Sequence, residues 1–194
     1  PACCTCLSSF SNFNAPGALM ADTNQAESLR QSLLNQLAML VEEVDGMHTF
    51  ADRIPTPILT QRPTPDTLAI IEVYALIAHF DERVRHPAAK MIQSGTLPRI
   101  RSREALDIAN EHTWRKNDFP DMLNRLQQTR KTLVETLHAC HLYAWGRDVT
   151  IDGETLTVFD WTHRILQNDT ERLRTVAQRL HHAHLTDREE DLPK

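Results

Sequence analysis

His79 closes the apolar run LAIIEVYALIAH, where a solvated histidine is out of place. An imidazole there can ligate a metal, carry a proton near neutral pH, or sit as a hydrogen-bonded core group. Glu72, His79 and His86 stand seven residues apart, nearly one side of a regular helix, with Glu82 and Arg83 flanking that side. A second polar interruption comes late in the chain. Asn168, Asp169 and Arg172 break an apolar stripe between Ile165 and Leu173, and Asn168 and Arg172, at i and i+4, can point one way. Polar groups in a core-facing stripe cost free energy unless they find partners. The pattern therefore predicts a polar cluster facing His79, in which Arg172 pairs with Glu72 or Glu82 and the pocket accepts an anion or a carboxylate. The competing reading is a solvated flank, along which the stripe drifts.

Four long helices must position these groups. The first is expected from about Asn24 to Ala51, with Leu29, Leu33, Leu37, Leu40, Val44 and Met47 as its stripe. Pro55 and Pro57 end it, and the segment Pro55 to Pro65 is a linker. The second helix is expected from Thr64-Pro65-Asp66, capped by Thr64. His86-Pro87 marks a kink or break in it, and Gly95 a stop. A short helix is expected from Ser102 to Asn110, and a third long one from about Pro120 to Cys140. VTIDGETLTV alternates around Asp152-Gly153, a hairpin signal, and the Val149 to Val158 hairpin is expected outside the core. The last helix starts near Thr157, with Asp160 completing an acidic capping box. The fold class is all-α: a four-helix bundle with a small β-hairpin in the last connection.

Composition narrows the functional classes. The 194-residue chain is 41% hydrophobic and 24% charged, and its net charge of -5 argues against a nucleic-acid surface. No stretch approaches the roughly 20 apolar residues of a membrane span. Cys3, Cys4 and Cys6 crowd one end and Cys140 stands alone, a usage that suits a reducing, cytoplasmic compartment. Residues 1–19 carry no charge and no helical period and are expected to be a non-native or disordered leader. The domain is expected over residues 20–194, from Met20 onward. There is no strained glycine turn around a Ser or Cys, no phosphate loop and no dinucleotide fingerprint.

From about Ala26 to His184 the sequence resembles the DinB-like, or YfiT-like, proteins. TPDTLAIIEVYALIAHFDER resembles that family's second helix, DIANEHTWRKNDFPDMLNRLQQTRKTLVETL its third-helix region, and DWTHRILQNDTERLRTVAQRL its last helix. The resemblance implies a four-helix bundle in an up-down-down-up arrangement. Many members bind a divalent metal through one histidine of the second helix and an HxxxH of the last. Their activities include transferring small thiols such as bacillithiol or mycothiol to electrophiles. On this pattern His79 falls at the first ligand position. NDTER stands where the family has HDxxH, so Asn168 and Arg172 fall at the other two. Asn is a poor zinc ligand, and Arg, always cationic, cannot ligate.

Three readings follow. The first is a DinB-like protein that has lost the metal triad and keeps a polar small-molecule pocket around His79, with no cofactor expected. The second is a metal-dependent thiol transferase or hydrolase with a rearranged ligand set, for example zinc or nickel held by His79 with Glu72 or Glu82. The third is a non-catalytic bundle that associates with itself as a homodimer.

Overall fold

The computed structural model describes the backbone of residues 16–190 and the side chains of residues 23–183. It is mostly helical, with one small three-stranded sheet. Helix α1 spans Pro16–Ala51, so residues 16–19 of the expected leader are helical, while residues 1–15 lie outside the described residues. Its buried stripe is Leu33, Leu34, Leu37, Leu40, Val44 and Ala51. Leu29, expected in that stripe, is 49% exposed. At that level the neighbouring Arg30 reaches the end of another helix, donating to the carbonyls of His138 and Cys140, both at 3.2 Å. A short helix α2, Thr56–Thr60, interrupts the proline-rich linker.

The second long helix begins at Ile70 rather than at Thr64 (α3, Ile70–Phe80). Thr64 and Thr67 instead close a turn of their own, in which the Thr67 N–H donates to the Thr64 carbonyl at 3.1 Å. Glu72 then caps the helix from inside, accepting the Ala69 N–H at 2.8 Å. Every residue from Ile70 to Ala78 is buried, as the all-round apolar run requires.

His86-Pro87 does not break the helix. A single π-helical turn, Asp81–Arg85, precedes helix α4, His86–Gln93, and the His86 N–H donates to the Asp81 carbonyl five residues back. Pro87 has no N–H to give, and its ring would strike the carbonyl four residues earlier; the widened turn accommodates both. Gly95 ends α4 with φ +82°. The Thr96 N–H donates to the Met91 carbonyl at 2.8 Å and the Gly95 N–H to that of Ile92 at 3.0 Å, the Schellman pattern.

Helix α5 (Ala105–Glu111), a 3₁₀ turn (Trp114–Lys116), helix α6 (Phe119–His138) and helix α7 (Leu142–Trp145) follow. Asp118 caps α6 through the Asp121 N–H. Strand β2 (Asp148–Ile151) pairs antiparallel with β3 (Glu154–Thr157) across Asp152 and Gly153, both at positive φ, a type I′ geometry. The short β1 (Arg99–Ile100) runs parallel to β2 on its other edge. The expectation that this hairpin lies outside the core is corrected. Val149 is fully buried among Trp145, Val158 and Trp161, because strand alternation turns it inward while Asp148 and Thr150 face away. Helix α8, Val158–Glu190, is capped as the sequence suggests: the Asp160 N–H donates to Thr157 Oγ1 at 3.1 Å, and that hydroxyl donates to Asp160 at 2.6 Å.

Two apolar clusters form the core. One joins the later half of α1 to α2, α3, α5 and the start of α6. The other joins the earlier half of α1 to α4, the end of α6, α7, β2 and the start of α8. Among the described residues no helix is long and apolar enough to cross a membrane.

Gly95 offers a direct check on this chain path. A Cβ there would meet only Arg147 Nη1, at 3.6 Å, so Gly95→Ala acts through backbone conformation rather than through a clash. The left-handed conformation costs a residue with a Cβ about 1–2 kcal/mol. Urea denaturation should show a loss of that size; an unchanged stability would mean that α4 ends differently.

Candidate functional site

The two apolar clusters meet at a layer of buried charge. On α6, Arg130 lies between Leu126 of one cluster and Leu133 of the other. On the second long helix Asp81 and Arg85 lie between Ala78 and Ala88, and on α8 Asp169 lies between Ile165 and Val176. All four side chains are buried. Arg85 donates to both oxygens of Asp169 at 2.8 Å and to Asp81 at 2.7 Å. Arg130 donates through Nε to Asp81 at 2.7 Å and through Nη2 to Asp169. Burial pushes the Asp169 carboxyl up, but Arg85 and Arg130 outweigh burial and hold it below the usual carboxylate range. The same carboxylates keep the Arg85 guanidinium charged against the desolvation that opposes it.

A cavity of about 280 Å³ opens on one side of this layer. The second long helix contributes His79, Phe80 and Arg85, and α8 contributes Trp161, Asn168 and Arg172. The mouth is formed by residues 100–103 and the tip of the β2–β3 hairpin, where the Ser102 N–H donates to Asp152 at 2.8 Å and holds that carboxyl below its ordinary range. His79, Asn168 and Arg172, paired from the sequence by helix face, thus line one cavity.

The two carboxylates expected there are elsewhere, which corrects the pairing foreseen for Arg172. Glu72 sits two helical turns before His79, roughly 10 Å along the axis. It accepts Arg62 at 2.7 and 2.8 Å and has Arg115 at 3.3 Å. Glu82 accepts Arg125 of α6 and has Arg83 at 3.9 Å. His86 does not share His79's side either. The π turn between them adds one residue, a rotation of roughly 100°, and His86 lines a separate groove with Glu82 and Arg125.

Arg172 is half-buried and has no hydrogen bond among the described residues. Its closest carboxylate oxygen is Asp169 Oδ1, at 3.6 Å, beyond hydrogen-bonding reach. Its guanidinium lies over the Phe80 ring at 5.5 Å, beside that of Arg85 at 5.6 Å. Burial and the nearby Arg85 charge lower its pKa, against the opposing pull of Asp169. His79 packs edge-on to His112 at 5.2 Å and to Trp114 at 5.7 Å. Burial, then the His112, Arg125 and Arg83 charges, lower its pKa. His112 donates through Nδ1 to the Ile108 carbonyl at 2.7 Å and stacks on Trp114 at 4.4 Å.

The donor set does not fit the metal that the family resemblance implies. Of the three ligand positions only His79 carries a lone pair suited to zinc, and Arg172 brings a fixed positive charge. Among the described residues no group of three His, Cys, Asp or Glu side chains is placed to hold a metal ion. Cys140 is buried, donates to the Thr136 carbonyl at 3.4 Å, and has its thiol pKa raised by burial, the state of a packed rather than a reactive cysteine. Cys3, Cys4 and Cys6 lie outside the described residues.

Asp81, Arg85 and Arg130 escaped the sequence reading, although Arg130 follows Leu126 by four and precedes Leu133 by three, a core position occupied by a charge. Removing one member of such a network strands a buried charge and costs about 3–5 kcal/mol. Arg130→Met should lose that much in urea denaturation. Arg130→Met with Asp81→Leu leaves the balanced Arg85–Asp169 pair and should lose less than the single variant. A double variant as unstable as the sum of the two singles would contradict the network.

Compared with known proteins, the chain matches no family model and no curated relative.

Proposed function

We propose that this chain is a DinB-like bundle protein in which the family's metal triad has been replaced, and which uses the His79 cavity to bind a small molecule without a resident metal. The observation that carries this reading is that His79, Asn168 and Arg172, from two helices far apart in sequence, line one cavity. These are the positions that, on the resemblance, correspond to the three histidines of DinB-like proteins. Four long helical segments and the long connection between α4 and α6 agree with the up-down-down-up bundle, with β2 and β3 in its last connection. At about 280 Å³ the cavity falls just below the usual range of ligand sites, roughly 300 to 1,000 Å³, which suits a small ligand. A rearranged metal set of His79 with Glu72 or Glu82 is disfavoured, because both carboxylates are engaged by arginines away from the cavity.

Restoring the triad tests the reading. Asn168→His with Arg172→His should bind about one zinc or nickel ion per chain, measured by elemental analysis of tag-free protein, and the further change His79→Ala should abolish it. A folded double variant that binds neither metal contradicts the placement. So does wild-type protein that holds one ion per chain and loses it on His79→Ala.

A further inference from the structure

The charges around the cavity do not sum to zero. Asp81 and Asp169 supply two negative charges to the buried layer, and Arg85 and Arg130 two positive ones, with direct hydrogen bonds throughout. Arg172 adds a third cation to a carboxylate group that already accepts both other arginines. At the mouth, Arg103 is taken by Glu111 and Arg164 by Glu154, the latter at 2.9 and 3.0 Å. The exposed Arg101 and the Ser102-bound Asp152 offset one another. One positive charge remains, half-buried, on a guanidinium without a hydrogen bond among the described residues.

The placement of that guanidinium matters as much as its charge. It lies over the Phe80 ring and makes no hydrogen bond among the described residues, so its planar fork of N–H groups remains for an acceptor. A carboxylate is the planar, singly charged group that such an edge takes through two parallel bonds. Asn168, four residues earlier on the same face of α8, adds an amide that can donate to the same group. Ile108, Ile151, Trp161 and Ile165 give the cavity apolar wall as well. A doubly charged phosphate would overshoot the single free charge and leave those walls without a partner.

Resting on the pocket reading above, we infer that the His79 cavity is a site for a small monocarboxylate with an apolar or aromatic body, its carboxylate on the Arg172 guanidinium and its body against Trp161 and Ile165. The ligand neutralises the unbalanced cation, and its body takes the apolar surface out of water.

Benzoate, its neutral isostere benzamide and inorganic phosphate are the probes, titrated calorimetrically at constant ionic strength against the full chain. Benzoate should bind, and Arg172→Met should weaken it by about tenfold to a hundredfold, the range for a hydrogen bond to a charged group. Arg172→Lys, which keeps the charge without the planar fork, should fall between. Circular dichroism verifies that each variant is folded, and Asn168→Trp, which obstructs the cavity from an exposed position, should abolish binding. Benzamide binding as tightly as benzoate, and lost on Asn168→Trp, would overturn the carboxylate assignment and leave the pocket reading standing. Arg172-dependent binding of phosphate in preference to benzoate would overturn it in the same way. No binding of any probe would overturn both.

Discussion

Two carboxylates and two guanidiniums, taken out of water at the junction of two apolar clusters, are the constraint on which the rest of this molecule depends. Desolvating each ion costs several kcal/mol, which is offset only when its partners arrive together and in good geometry. Asp81 and Arg85 come from one helix, Arg130 from a second and Asp169 from a third, so the layer forms only when all three are in register. Purely apolar packing would tolerate a sliding helix; this layer does not. It also gives the π turn a function. Asp81 and Arg85 open and close that turn, and both must face inward while the chain passes Pro87.

The cavity follows from the same layer. Its back wall is Arg85, which gives three hydrogen bonds to Asp81 and Asp169, so the wall's charge is paired within the layer. Arg172 stands one step outside. It is close enough to Asp169 to remain charged while half-buried, and too far to be bonded. Its guanidinium lies over the Phe80 ring. The cavity thus carries a fixed cation supplied by the protein's own chain.

Much of this was legible in the sequence, and the exceptions have physical causes. The α8 cap at Thr157 and Asp160, the Asp152-Gly153 turn and the stop at Gly95 depend on local chemistry and could be read locally. The convergence of His79, Asn168 and Arg172 was legible from the resemblance together with i, i+4 spacing. The start of α3 was not, because Thr64-Pro65-Asp66 carries the marks of a helix start and makes a turn instead. The π turn was not, because Pro87 reads equally as a kink or a break, and the continuous path keeps Asp81 and Arg85 inward, toward partners on two other helices; it was the reason that His86 left the side of His79. Asp169 was noted as part of a polar break, yet it is the position that continues the Ile165 to Leu173 stripe in steps of four. Its role became evident only with Arg85 and Arg130 beside it.

A pH titration of the Asp169 side-chain carboxyl by carbon NMR tests the central claim, the assembled charge layer, most directly. A carboxyl with a depressed folded pKa contributes stability that is present above its ordinary range and is lost as pH falls through the folded value. The account predicts that Asp169 stays ionised as pH falls through the ordinary carboxylate range, and that it takes up its proton only at lower pH, together with unfolding. An Asp169 signal that titrates at the ordinary carboxylate value in the folded protein would contradict it.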